Sequence, residues 1–104
     1  MSISYGWEKL HLAVHSLCGQ GDQSERLINA IVYNLVRIKP ENDIPEEMQS
    51  DFNNFMKEMS FVNPAEGEGS IQATVNSMDE IGRKRAVEKI ISLYDNICRH
   101  REVN

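Results

Sequence analysis

Apolar residues recur along this chain at the three- and four-residue intervals of an α-helix, and no segment shows the strict alternation of a half-buried strand. In residues 4–18 the apolar positions are spaced i, i+3, i+7 and i+10, which places them on one helix face. They are Trp7, Leu10, Val14 and Leu17. Glycines at positions 19 and 21 indicate the end of this first helix, because glycine readily adopts the left-handed conformation found after a helix C-terminus.

The second predicted helix begins at Asp22, whose side chain is placed to accept hydrogen bonds from first-turn amides, and it ends at Pro40. Its apolar residues cover roughly half of the helix circumference, so we expect it to be the central helix. Those residues are Leu27, Ile28, Ile31, Val32, Leu35, Val36 and Ile38. Residues 40–45 then indicate a turn-rich connection, because two prolines flank asparagine and aspartate.

The remaining chain predicts two or three more helices. Residues 45–60 place Met48, Phe52, Phe55, Met56 and Met59 on one stripe, and a glycine-containing loop follows at residues 61–69. A short helix is expected from residue 70, and a long last helix over about residues 78–100. The sequence therefore predicts an all-α fold, a compact single-domain bundle of four to five helices spanning residues 1–104.

Composition agrees with a globular protein. The chain has 104 residues, of which 40% are apolar and 26% charged, and these values fit one domain with its own core. No apolar run approaches the roughly 18 residues of a membrane span, and the N-terminus does not resemble a secretory signal, so we expect a cytoplasmic protein with no membrane partner. Cys18 and Cys98 form no CxxC pair, which favours reduced and mostly buried thiols.

Charge is distributed unevenly. The net charge is -5, but residues 41–80 contain ten acidic side chains and one basic one, Lys57, whereas the segments on either side are net positive. Five acids lie within residues 41–51: Glu41, Asp43, Glu46, Glu47 and Asp51. They are explained either by favourable charge at a helix N-terminus or by a surface that binds a basic partner protein.

A basic cluster near the start of the last helix raises the alternative of a nucleic-acid-binding regulator. The cluster consists of Arg83, Lys84, Arg85 and Lys89. The patch is short and follows a strongly acidic segment, which disfavours nucleic acid. We therefore expect these bases to be solvated or to pair with the acidic segment of the same molecule.

The first helix contains the weak candidates for a metal site, His11, His15 and Cys18, which are neighbours on a helical wheel. Zinc normally takes four ligands, and the chain offers no evident fourth ligand. Leu12 follows His11, so the general base of the HExxH proteases is missing. No metal site and no cofactor are predicted.

Sequence motifs of catalysis are also missing. The chain contains no GxSxG, Walker or GxGxxG motif. Both cysteines lie on or near apolar helix faces, where a thiol is expected to be a small apolar group rather than a nucleophile. We do not expect an enzyme.

Three segments, GWEKL at residues 6–10, AVHSL at 13–17 and EKIISLYD at 88–95, resemble small uncharacterised all-helical bacterial proteins. The resemblance implies a bacterial helical domain and assigns no activity and no site residue.

Small size, missing catalytic motifs and concentrated negative charge favour one function class above others. The first hypothesis is an acidic protein-interaction domain that binds and inhibits or regulates a partner with a basic surface, as immunity proteins, antitoxins and anti-defence proteins do. The alternatives are a helical accessory or homo-oligomerising subunit, and the nucleic-acid-binding regulator.

Overall fold

Six α-helices and one 3-10 turn form the part of the chain that the structure, a computed structural model, describes, which is residues 3–102. The α-helices are α1 (Ile3–Leu17), α2 (Gln23–Tyr33), α3 (Pro40–Asp43), α4 (Glu46–Met59), α5 (Ser70–Ser77) and α6 (Glu80–Glu102), and the 3-10 turn is Leu35–Arg37. No β-strand occurs within these residues. The all-α prediction is confirmed, but the predicted number of four to five helices is wrong.

The extra helix, α3, lies within residues 40–45, which the sequence predicted to be a turn-rich connection, and the second helix ends earlier than predicted. Asn34, which is buried, turns its side-chain amide to the Ala30 carbonyl and to the Ser16 hydroxyl, both at 3.3 Å, and α2 ends at Tyr33. An asparagine side chain that bonds to nearby backbone competes with helix continuation. The chain then passes through the 3-10 turn, and Pro40 becomes the first residue of α3 instead of ending a helix.

This break changes which apolar residues are buried. Leu27, Ile31 and Leu35 are completely buried, as the apolar arc of the second helix predicts, but Val32 and Val36 are exposed. On α1 the buried positions are Gly6, Leu10 and Ala13, and Trp7, Val14 and Leu17 pack at the margin of the core.

One continuous apolar core joins the helices. Its largest completely buried members include Leu10, Leu27, Ile31, Leu35, Ile44, Met59, Ile90, Leu93 and Ile97. Cys98 is partly buried but Cys18 is exposed just beyond α1, so the expectation of two mostly buried thiols is wrong for Cys18. The core fixes α4 and α6 by their apolar sides, and their polar sides face outwards.

Candidate functional site

The acidic segment is presented mainly by α4. Met48, Phe52, Phe55 and Met59 bury one side of this helix in the core, so its polar residues are held in fixed positions on the other side. Glu47, Asp51 and Glu58, at spacing i, i+4 and i+11, lie in line on the exposed part of the helix, and we call them the acidic row. Glu46 is also exposed, further from the core side.

Asp43 does not belong to this surface, although the sequence placed it there. Its side chain is only 4% exposed, and its carboxylate accepts hydrogen bonds from the Lys39 amide at 2.7 Å and the Asn42 side chain at 2.9 Å. The carboxylate therefore holds the single turn of α3 in place. Glu41, on the same turn, is exposed. Four of the five predicted acidic residues remain available at the surface.

The four basic residues of the alternative hypothesis are divided among different surroundings. Arg83 is half-buried and donates a hydrogen bond to the Met78 carbonyl, whereas Lys84 and Arg85 are exposed. Lys89 lies opposite Asp51, with 3.9 Å between its Nζ and the nearer carboxylate oxygen. The expected pairing of the basic cluster with the acidic segment thus occurs at Lys89, whereas Arg83 binds a backbone carbonyl instead of an acidic side chain.

A cleft of about 520 Å³ separates α4 from α6. Its α4 wall consists of Asp51, Asn54 and Glu58, and its α6 wall of Gly82, Arg85 and Lys89. Apolar side chains form the floor: Phe55, Met59, Met78 and Ala86. The cleft therefore places two carboxylates, those of Asp51 and Glu58, opposite two cations, Arg85 and Lys89, and most of its apolar floor is already buried in the core.

A separate cluster of aromatic rings occupies the contact between α1 and α6. The His11 ring stacks on Trp7 at 4.7 Å between centroids, and its Nδ1 lies 3.3 Å from the Tyr94 hydroxyl. The His15 ring meets His11 edge-on at 4.5 Å, and the Arg101 guanidinium lies 4.3 Å above the Trp7 ring. Sequence spacing identifies the α1 members only, because Tyr94 and Arg101 join them through tertiary packing.

The weak metal candidates are not brought into a ligand set. His11 and His15 are adjacent, but Cys18 is exposed beyond the helix end. Among the residues that the structure describes, no three histidine, cysteine, aspartate or glutamate side chains are arranged to hold a metal ion. His11 makes its contacts with aromatic side chains.

Comparison with protein-family models, with curated proteins and with solved structures finds no match to this chain. Within residues 3–102, no helix has the length and apolar character needed to cross a lipid bilayer.

The aromatic cluster yields a testable pH dependence. A side-chain hydrogen bond with Cys98, together with desolvation and the charge of the thiolate, raises the pKa of the Tyr94 phenol above its ordinary value of 10.0, against the opposing effects of Trp7 and Arg101. A raised pKa in the folded state stabilises the fold below pH 10.0, and this contribution is lost as the pH rises through the folded-state pKa.

We expect the pKa of Tyr94 to lie above 10.0 in the folded protein, and Cys98→Ala to lower it. Residue-resolved NMR of the tyrosine rings during an alkaline titration measures this. Cys18→Ala is the matched control, because Cys18 is exposed and lies outside the cluster. If Tyr94 has the same pKa in the Cys98→Ala and Cys18→Ala variants, Cys98 is not what raises it.

Proposed function

We propose that this chain is a small acidic protein-interaction domain that binds a partner protein with a basic surface and inhibits or regulates it. The observation that carries the proposal is the acidic row on α4, a helix whose apolar side is held in the core, together with exposed Glu46 on the same helix and exposed Glu41 on α3. Partners that suit such a surface are proteins whose own function requires cationic side chains, such as nucleases and nucleic-acid-binding assemblies.

Helix stability alone does not account for these carboxylates. Acidic residues are favoured in the first turn of a helix, where the backbone dipole is positive, and this explains Glu46 and Glu47. The dipole effect falls off within that turn, so it does not extend to Asp51 and Glu58. The two residues add negative charge further along the helix without a local structural reason.

The carboxylates of α4 also form few contacts with other residues of the same molecule. Within residues 3–102, Glu46, Glu47 and Glu58 form no hydrogen bond or ion pair through their side chains, and Asp51 has only the long contact to Lys89. Exposed ion pairs of this kind contribute about 0–1 kcal/mol, so little is lost when a partner cation takes the place of Lys89. A concentrated negative field on a fixed helix increases the rate at which a basic protein associates.

Affinity capture from a lysate of the native host tests the proposal. We expect the full chain to retain a basic protein at low salt, and the triple variant Glu46→Gln, Glu47→Gln and Asp51→Asn to lose it, because three of the partner's charge contacts are removed. Mass spectrometry of the eluted proteins identifies the partner.

A second triple variant controls for the change in net charge. Glu8→Gln, Glu66→Gln and Glu88→Gln also removes three exposed carboxylates, but from α1, from the loop before α5 and from α6. It is expected to retain the partner. A partner that is retained by both variants, or lost from both, would contradict a binding site on α4.

A further inference from the structure

The side of α6 that faces away from the core carries two exposed isoleucines. Ile81 is 63% exposed and Ile91 is 48% exposed, so the rest of the molecule leaves much of both side chains uncovered. Ten residues separate them along α6, which is close to three helical turns, so they lie on the same side of the helix. Single exposed apolar residues are common on protein surfaces, and the residues around these two decide whether they form a binding surface.

The exposed residues around the two isoleucines have the spacing of a coiled-coil seam. In such a seam, residues at alternating intervals of three and four face the partner helix. Starting from Ile81, these intervals reach only exposed residues of α6, and we call the set the α6 seam. Its members are Ile81, Lys84, Glu88, Ile91 and Asp95. The core residues of α6 lie on the opposite side, so a partner helix can reach the seam.

The α6 seam is complementary to a second copy of itself. In a two-fold dimer, each contact between residue i of one copy and residue j of the other occurs twice. When two α6 helices lie antiparallel and meet at residue 86, facing residues lie equally far from that position in opposite directions. Ile81 then packs against Ile91 of the second copy, and Lys84 faces its Glu88. Two ion pairs thus lie between two apolar contacts, and no like charges face each other from residue 81 to residue 91.

Charge disfavours other ways of pairing two copies. A parallel pair of α6 helices places Lys84 against Lys84 and Glu88 against Glu88, and facing like charges oppose association. The net charge of -5 makes two copies repel each other in general, whereas Lys84 and Glu88 balance each other at the centre of the seam. Within residues 3–102, the ion pairs of the structure do not involve Lys84 or Glu88, so both charges remain available to a second copy.

We propose that a second copy of this chain covers the α6 seam in an antiparallel two-fold dimer. The seam extends over two heptads only, so the interface is smaller than the roughly 1,200 Å² of stable complexes, and we expect a dissociation constant of about 0.1–1 mM. None of the acidic-row residues belongs to the seam. The dimer is therefore a property beyond the proposed partner binding, and neither depends on the other.

Charge reversal in the full chain tests the pairing of Lys84 with Glu88. In the dimer, Lys84→Glu places glutamates against glutamates, and Glu88→Lys places lysines against lysines. We expect each variant alone to associate at least about ten-fold more weakly than the wild type. Mixed in equal amounts, the two variants should form a heterodimer, because every facing pair then has opposite charges. Sedimentation equilibrium and NMR diffusion, at about 10 µM to about 2 mM protein and about 150 mM salt, measure both results.

A second pair of variants controls for net charge. Lys57→Glu on α4 and Glu66→Lys in the loop before α5 change the net charge by the same two units in each direction, at exposed positions outside the seam. Each alone should dimerise within about two-fold of the wild type, and their mixture should gain nothing. Thermal unfolding of the four variants verifies that these exposed substitutions preserve the fold.

The apolar contacts are tested by a matched pair of serine variants. Ile91→Ser should weaken dimerisation about three-fold or more, because each dimer loses two apolar contacts. Val36→Ser should leave dimerisation unchanged, although Val36 is 49% exposed and so resembles Ile91 in exposure. This control separates the seam from the exposed apolar residues around the end of α2.

A wild type that remains monomeric up to about 2 mM would overturn the proposed dimer. So would a mixture of Lys84→Glu and Glu88→Lys that associates no more strongly than the control mixture, or a dimer weakened by Val36→Ser and not by Ile91→Ser. The lysate capture is independent of these results, because its α4 triple variant leaves the seam unchanged. If capture is lost in that variant while the wild type is monomeric, the dimer is wrong and the proposed function stands.

Discussion

Gly6→Ala is expected to destabilise the protein by about 2 kcal/mol, although alanine is the better helix former. Gly6 lies inside α1 where that helix meets the end of α3. A Cβ atom added there would lie 2.1 Å from the Asp43 carbonyl oxygen and 3.0 Å from the Ile44 Cγ2. Backbone atoms do not rotate away as a flexible side chain does, so α1 and α3 must separate.

Two opposing effects decide the size of this change. Replacing glycine by alanine inside a helix stabilises it by about 1 kcal/mol. Forcing extra volume into a packed contact costs about 1–3 kcal/mol, and a contact of 2.1 Å demands a shift near the upper end of that range or beyond it. The expected net loss corresponds to a decrease in melting temperature of roughly 10 °C.

Gly82→Ala is the matched control for Gly6→Ala. Gly82 lies in the first turn of α6, and its added Cβ would lie 3.1 Å from the Asp79 Oδ1, which accepts the Gly82 amide hydrogen bond, and 3.5 Å from the Met78 Cβ, so side chains need shift by only a few tenths of an ångström. The melting temperature of this variant should equal or exceed that of the wild type, as measured by circular dichroism. Equal losses in the two variants would contradict the close approach of α1 and α3.

Asp43→Ala is expected to cost about 2 kcal/mol, because its carboxylate accepts the Lys39 amide and the Asn42 side chain. Hydrogen bonds to a charged group contribute about 1.5–3 kcal/mol, and alanine leaves both donors without this acceptor. Chemical denaturation measures the loss. Asp43→Ala should not alter the affinity of the folded protein for a partner, since the carboxylate is buried.

Glu41→Ala provides the comparison on the same turn. Glu41 is exposed, so its replacement should change the free energy of unfolding by less than about 0.5 kcal/mol. If Asp43→Ala were as stable as Glu41→Ala but weakened partner binding, Asp43 would be a surface residue as the sequence alone suggested.

Hydrophobic spacing was sufficient to predict the helical class and most helix positions. It did not reveal where the second helix breaks, because Asn34 ends that helix partly through Ser16, a residue of α1. The burial of Asp43 escaped prediction for the same reason, since it depends on the close approach of α1 at Gly6. Such tertiary contacts leave no periodic signal in the sequence.

The candidate site shows a similar division. The excess of acidic residues in the middle of the chain was visible as composition, and α4 presents four of those ten residues outwards. The cleft was not predictable, because its two walls come from helices that are far apart in the sequence. The sequence predicted that the basic cluster is solvated or pairs with the acidic segment, but it did not identify Lys89 and Asp51 as the two residues that pair.

Titration calorimetry of the captured partner against purified protein, at about 50 mM and about 500 mM salt, tests the central claim most directly. The wild type should bind much more weakly at high salt. The triple variant Glu46→Gln, Glu47→Gln and Asp51→Asn should bind at least about ten-fold more weakly than the wild type at low salt and depend less on salt. The control variant Glu8→Gln, Glu66→Gln and Glu88→Gln should retain nearly the wild-type affinity. Equal affinities of the two triple variants at low salt would contradict a partner-binding surface on α4.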